Sequence, residues 1–280
     1  MRPLPKPTLT ASSVFRQCTT RIQDNGRRTR LHQSLPAIVQ ASAQFDTAAQ
    51  ARQLHTVPAA AQVGQASAAD MVWVYDQKMV KKTSPGRTVY DEILAAAPLG
   101  HCPLCGIRIA ATLDHHLPKT SYPALAVTPL NLVPSCRDCN TGKSTGAPTT
   151  PGEQTLHPYY DDVSSDRWVE ARVEQGSPAR LVYHVSAPPG ADPLTAARVQ
   201  THFDAFGLGG LYAANASAHL VELRGDLARF HSADGASAVA DELRVRARSH
   251  EARDINSWSS VAYRALAADA WYCDGGFGAL

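Results

Sequence analysis

The chain has 280 residues, 44% of them hydrophobic and 19% charged, and a net charge of +2. That length allows one large domain or two small ones with a real core, and the composition excludes collagen-like, coiled-coil, mucin-like and wholly disordered classes. Apolar runs such as residues 71–75 and 93–97 fall far short of the ~18–20 residues of a membrane span, and the first 30 residues hold no apolar signal core. A soluble cytoplasmic protein is therefore expected.

Residues 1–68 read as a basic, Ala/Gln-rich, partly helical extension. Its first 30 residues carry seven basic side chains (Arg2, Lys6, Arg16, Arg21, Arg27, Arg28 and Arg30) against one acid, Asp24. With Lys78, Lys81, Lys82 and Arg87 they can contact phosphate, although a solvated face is the plainer reading. Residues 34–55 look helical, with Ser34 as cap, Pro36 in the first turn and Ile38, Ala41, Phe45, Ala48 and Leu54 as a loose apolar stripe. Residues 57–68 read as a linker.

Residues 69–162 are denser in signals. Two short helices over 71–81 and 88–97 flank a Ser84-Pro85-Gly86 turn. Then come Cys102-Pro-Leu-Cys105-Gly106, a strand-like run over 107–113, a second Cys pair and a Ser/Thr/Gly/Pro loop over 144–155. Residues 163–280 begin with a candidate hairpin, 168–173 and 180–185. Asp192-Pro193 opens a helix, and helical patterns follow over 211–231, 236–250 and 257–271. This last segment shows no catalytic signature and is expected to dock a partner or substrate. No internal repeat is present.

Of six cysteines, Cys18 and Cys273 lack partners at ligand spacing and read as plain thiols. Cys102 and Cys105, then Cys136 and Cys139, form two CxxC pairs with 30 residues between them. Without an export signal this pattern reads as metal rather than disulfide. Four thiolates make a closed tetrahedral zinc site, which supports the fold and leaves no open position for chemistry. Beside the pairs lie Leu113-Asp114-His115-His116-Leu117-Pro118-Lys119 and the run from Asn131 to Lys143. Neighbouring side chains on a strand point to opposite faces, so a local bend is needed for Asp114 to hold a metal while His115 faces a substrate. Asn140, just after the last cysteine, adds a second oxygen ligand from a helix start. Hard oxygen donors suit Mg²⁺ or Mn²⁺, and a histidine near its ordinary pKa can take a proton from water.

Over residues 100–143 this array resembles the HNH (ββα-metal, or His-Me finger) endonucleases, in the subgroup bracketed by two zinc-binding CxxC pairs. The resemblance implies an α+β fold: a ββα-metal core with a four-cysteine zinc, flanked by mainly helical N- and C-terminal regions. It makes His115 the general base, and Asp114 and Asn140 the ligands of a catalytic Mg²⁺ or Mn²⁺. Asn131 pins the loop and orients the base, and Lys143 and Lys119 contact phosphate. His116 stands where an apolar or aromatic residue is common, which leaves two candidate bases; the place directly after Asp114 favours His115, and His116 is then expected at the substrate. The flanks, residues 86–91 and 156–161, resemble HNH proteins of bacterial anti-phage systems, including the Septu-type nuclease that works beside an ATPase and retron-associated relatives. His157 in the second flank either lines the substrate groove or packs beside Tyr159 and Tyr160. The expected function is metal-dependent hydrolysis of phosphodiester bonds in DNA or RNA, as the effector of a defence system. The alternatives are a zinc-ribbon module that binds nucleic acid or protein without cutting, and a nuclease subunit silent until an ATPase partner activates it.

Overall fold

Thr10 starts α1 (Ala11–Thr19) by accepting the Ser13 N–H, and Asp24 starts α2 (Asn25–Gln33) by accepting that of Arg27. Each side chain satisfies an amide that the first helical turn leaves without a partner. In the computed structural model, which describes residues 1–143 and 146–278, the chain divides into two units, Met1–Asp162 and Val163–Leu280. Residues 144 and 145 of the expected loop lie outside the described residues.

The third helix, α3 (Leu35–Gln50), follows α2 after Ser34 alone and carries a proline in its first turn. Ser34 makes no side-chain cap on α3. Its hydroxyl donates to the Arg30 carbonyl at 2.7 Å and accepts from the N–H groups of Gln65 and Ala66 at 3.0 and 2.9 Å. Those amides belong to a two-stranded antiparallel ribbon, β1 (Gln62–Val63) and β2 (Ala66–Ser67), which turns at Gly64 with a φ of 55°. The segment read as a linker is therefore built into the fold.

The expected division at residue 68 is absent as well. One core cluster joins Phe15, Leu31 and Ile38 to Met71, Tyr75, Val89, Ile93, Leu113 and Leu132. Each such side chain contributes about 1.5–3 kcal/mol on full burial, so the first helices support the later residues as part of one core. Part of the basic N-terminal charge is also spent internally: Arg27 and Arg30 pair with the buried Asp70 at 3.0 and 3.3 Å, and Lys6 pairs with Asp46 at 2.8 Å.

Ser67 and Asp70 form a capping box on α4 (Ala68–Trp73). In place of a single α-helix over 71–81, the chain then widens into a π-helical stretch, Val74–Val80, before α5 (Arg87–Ala95). The run expected as one strand over 107–113 splits in two. Residues 101–110 form a loop closed by a bridge between His101 and Ile109, and β3 (Thr112–His115) begins only afterwards. It pairs antiparallel with β4 (Leu132–Ser135), with Asp114 opposite Val133 and His115 opposite Leu132. The helix α6 (Arg137–Gly142) follows at once and packs on β3.

In the second unit, β5 (Val169–Glu174) and β6 (Arg180–Val185) form an antiparallel hairpin with Ala171 opposite Tyr183. Asp192 caps α7 (Pro193–Ala205) by accepting the N–H groups of Leu194 and Thr195. The long α8 (Leu208–Glu251) breaks at Asp234 and Gly235, where φ is 69° at the glycine. It buries Tyr212, Leu220, Leu223 and Leu227 before the break and Val239 and Leu243 after it. Ser257 caps α9 (Trp258–Ala268), and α10 (Ala270–Cys273) is followed by a 3-10 turn, Gly276–Gly278. Among the described residues no helix is long and apolar enough to cross a membrane.

Candidate functional site

Two turns bring the four cysteines together. In the first, the Gly106 N–H donates to the Cys102 carbonyl at 2.8 Å, and Gly106 takes a φ of 74°, which an L side chain rarely adopts. In the second, Cys136 is the N-cap of α6 and its sulfur accepts the Cys139 N–H at 3.4 Å. All four sulfurs are buried and lie within 4.8 Å of one another. A tetrahedral zinc with bonds of ~2.3 Å needs sulfurs about 3.8 Å apart, so the four cysteines can hold a metal ion such as zinc. The four thiols interact strongly with one another. Hydrogen bonds from Cys102, Cys136 and Cys139 hold the Cys105 thiol far below its ordinary range, and bonds to Cys102, Cys105 and Cys136 push Cys139 far above it. Crowded thiols share a proton among them; four thiolates together require a cation.

Asp114 and Thr112 sit two residues apart on β3 and both meet α6, as the period of a strand requires. The buried Asp114 carboxylate lies 3.2 Å from the Lys143 ammonium, which also donates to the carbonyls of His115 and His116 at 3.3 and 2.6 Å. Burial pushes the Asp114 pKa up, and Lys143 opposes that shift. The Asn140 amide donates to Thr112 Oγ1 at 3.2 Å, which leaves its carbonyl oxygen as the acceptor end. Asp114 and Asn140 thus offer two hard oxygen donors from β3 and α6, of the kind a divalent ion takes. The carboxylate already faces a cation.

His115 meets different neighbours. Its Nε2 lies 2.8 Å from the Ala126 carbonyl, and because a carbonyl only accepts, Nε2 carries the proton and Nδ1 is the basic nitrogen of the neutral ring. Tyr75, on the π-helical stretch, stands edge-on to the imidazole with centroids 4.4 Å apart. Burial lowers the His115 pKa to about 3, with Lys119 and Lys143 acting in the same direction against the Ala126 bond. The ladder continues past His115, since the His116 N–H donates to the Asn131 carbonyl at 2.9 Å.

Asn131 is fully buried and staples the loop between the strands. Its Oδ1 accepts the Leu117 N–H at 2.8 Å, and its Nδ2 donates to the carbonyls of Leu117 and Leu125 at 3.0 and 3.4 Å. The Leu125 contact adjoins Ala126, whose carbonyl holds the imidazole, so Asn131 reaches His115 through one residue of backbone.

His116 and His157 do not fit the substrate-facing places expected for them. Both are buried and their rings lie in contact, centroids 4.2 Å apart and tilted by 38°. His157 Nδ1 accepts the Tyr159 N–H at 3.2 Å and Nε2 donates to the Leu130 carbonyl at 3.1 Å, so both nitrogens are committed to internal bonds. Lys119 pairs with Asp76 at 2.6 Å and lies 4.3 Å over the Tyr75 ring. Sequence reasoning missed Tyr75, Asp76, Thr112 and the Ala126 carbonyl. Tyr75 ended an apolar run and carried no motif; only the π-helical widening brings it to His115.

No family model matches the chain, and no solved structure matches it. The chain is 28% identical over 288 residues to Protein ea31 of Escherichia phage lambda, a similarity that spans 95% of this chain and 97% of that protein.

Proposed function

We propose that this chain is a metal-dependent endonuclease of the HNH type, hydrolysing phosphodiester bonds of DNA or RNA. One observation carries the reading. A buried carboxylate, Asp114, adjoins in sequence and on one strand an imidazole whose tautomer is fixed with Nδ1 as the basic nitrogen. A scaffold that only binds has no use for that pair.

In this reading Asp114 and Asn140 would hold Mg²⁺ or Mn²⁺, which would supply Lewis-acid charge at the scissile phosphate. Lys143, beside Asp114, is a phosphate contact. His115 takes a proton from water at Nδ1, and a phosphodiester beside the ring raises its depressed pKa, because an anion favours imidazolium. Asn131 keeps the Ala126 carbonyl in place, and with it the tautomer. Lys119 is a second phosphate contact. The four cysteines hold zinc that supports α6 and takes no part in the reaction.

The defence setting and the ATPase partner rest on the flanks of the motif alone and gain nothing from similarity to a phage protein. One observation favours the non-cutting alternative: Lys143 occupies the carboxylate that a metal would need. Incubation with supercoiled plasmid, linear DNA and tRNA, in Mg²⁺ or Mn²⁺, separates the two. Cleavage that falls by about 10²–10⁴-fold in His115→Ala, with a cooperative melting transition still present, is the expected result. Equal cleavage by the variant, or binding without cleavage by the wild type, overturns the endonuclease reading.

A further inference from the structure

The second unit contains a cleft of about 680 Å³ lined by β5, the C-terminal part of α8 and α9. Five arginines face it: Arg167, Arg172, Arg244, Arg248 and Arg264, against the carboxylates of Glu170, Glu251 and Asp269. Their roles divide. Arg264 is a structural member: it bonds Glu251 at 2.9 Å and the carbonyls of Ile255 and Val169 at 2.9 and 3.1 Å. Arg167 shares Glu251 at 3.0 Å.

The other three are available. Arg172 and Arg244 pair only with exposed acids, Glu174 at 2.9 Å and Asp241 at 2.6 Å, and such pairs are worth about 0–1 kcal/mol. Among the described residues Arg248 makes no ion pair. Arg244 and Arg248 stand one turn apart on the exposed side of α8, where like charges repel slightly. An anion between them reverses the sign of that interaction.

The lining also restricts what the anion can be. The apolar residues of the cleft are alanines and valines, with no aromatic ring among them. Protein partners are anchored chiefly by Trp, Tyr and Arg, and unstacked bases need aromatic platforms; of these the cleft offers arginine alone. Guanidinium groups on a small-residue floor suit phosphate oxygens, which they can bind bidentately without reading sequence.

We propose that this cleft binds the sugar-phosphate backbone of a nucleic acid, with Arg172, Arg244 and Arg248 as the phosphate contacts. The inference rests on the endonuclease reading for the identity of its ligand. It gives the second unit, which carries no catalytic signature, the task of holding substrate without sequence preference.

The test uses the full chain. His115→Ala protein is titrated with a labelled duplex over a range of KCl concentrations, alone and combined with R172E/R248E or with R180E/R229E. The second pair changes the net charge equally but alters arginines of the same unit that do not line the cleft. The cleft pair should weaken binding at least tenfold at low salt and reduce the slope of log K against log salt by about 1.8, at ~0.9 for each phosphate no longer neutralised. R172A/R248A should shift both in the same direction, and R180E/R229E should shift them far less. Equal losses in the two reversed pairs overturn the cleft, as does binding of poly-glutamate as tight as that of DNA at equal charge. Cleavage is measured in parallel on chains that keep His115. If the wild type cuts and the cleft pair raises KM no more than R180E/R229E, the cleft inference fails and the endonuclease reading stands. If the wild type cuts nothing while only the cleft pair loses binding, the endonuclease reading fails and the cleft stands.

Discussion

Replacing Asn131 by alanine removes a side chain that ties both edges of the loop between β3 and β4. Two of its three bonds, at 2.8 and 3.0 Å, go to the N–H and carbonyl of Leu117, which is itself 1% exposed. Both groups lose that partner once the amide is gone. A buried polar group left unpaired costs about 1–3 kcal/mol; the third bond, at 3.4 Å to the Leu125 carbonyl, adds little. A loss of about 2–6 kcal/mol follows, against a typical total of about 5–15 kcal/mol. For a unit of this size, at roughly 2–4 °C per kcal/mol, the melting temperature drops by about 4–24 °C. Differential scanning calorimetry on the whole chain is the appropriate assay, since the two units need not melt together. Asn131→Asp sharpens the test. It keeps an acceptor for the Leu117 N–H but turns a second oxygen toward two carbonyls. Its folded pKa is raised above the unfolded ~3.9, so its stability is fullest below that value and is lost as pH rises through the folded pKa. Its deficit relative to wild type is therefore smaller at pH 4 than at pH 7. A melting temperature for Asn131→Ala within about 2–4 °C of wild type, equivalent to ~1 kcal/mol, refutes the staple.

Two further predictions concern the first unit. Burial raises the Asp70 pKa, but the Ser67 N–H and then Arg27 and Arg30 outweigh it and hold the carboxyl below its ordinary range. A depressed folded pKa adds stability above the unfolded pKa that is lost as pH falls through the folded one. The gap in urea midpoint between wild type and Asp70→Asn should be widest near neutral pH and close in acid; a gap that is constant with pH contradicts this. At Gly86, an added Cβ would lie 2.5 Å from the Cys18 sulfur and 2.6 Å from the Lys78 carbonyl oxygen. Gly86→Ala should cost about 1–3 kcal/mol, and Cys18→Ala in the same chain should recover only part of it, because the carbonyl cannot retreat like a side chain. Full recovery on thermal melting would place the whole clash at the sulfur.

The cysteine cluster was legible because a CxxC turn carries its chemistry within four residues. Asp114, His115, Asn131, Asn140 and Lys143 were singled out through a family resemblance, and their partners lie 11 to 29 residues away. The Asp192-Pro193 cap carries its chemistry locally, and so does the break in α8, where Gly235 interrupts two helical patterns. What escaped was settled at long range. Ser34 has the local signature of a cap, yet its hydroxyl is taken by amides 31 and 32 residues away. The Ala-rich composition of residues 1–68 suggested a loose extension because its apolar residues are sparse. Phe15, Leu31 and Ile38 nevertheless find a core, supplied by segments that the local pattern cannot show. The π-helical stretch is invisible for a related reason: buried Val74, Tyr75 and Met79 fit an ordinary helical stripe equally well. His116 was expected at the substrate and His157 either there or packed beside the tyrosines; both are buried in ring contact, and the Leu130 carbonyl and the Tyr159 N–H engage the two nitrogens of His157.

The shortness of α6 links the cysteine cluster to Asp114. It has six residues, far fewer than the ~12–15 needed for marginal helicity in water, so tertiary contacts must hold it at both ends. At one end stand Cys136 and Cys139; at the other, Asn140 bonds Thr112 and Lys143 bonds Asp114. An ion bound by the four sulfurs fixes the first end, and its loss leaves the second to carry the helix through one amide and one ammonium. Cys136→Ser should therefore lower bound zinc from about one per chain and speed amide exchange across residues 137–143, ahead of exchange in β4. Cys273→Ser, in the other unit, should do neither. Retention of zinc by Cys136→Ser would remove that cysteine from the ligand set. Loss of zinc with unchanged exchange over α6 would show that the Asp114 end holds the helix alone, and the sulfur cluster would then have no hold on the arrangement around His115.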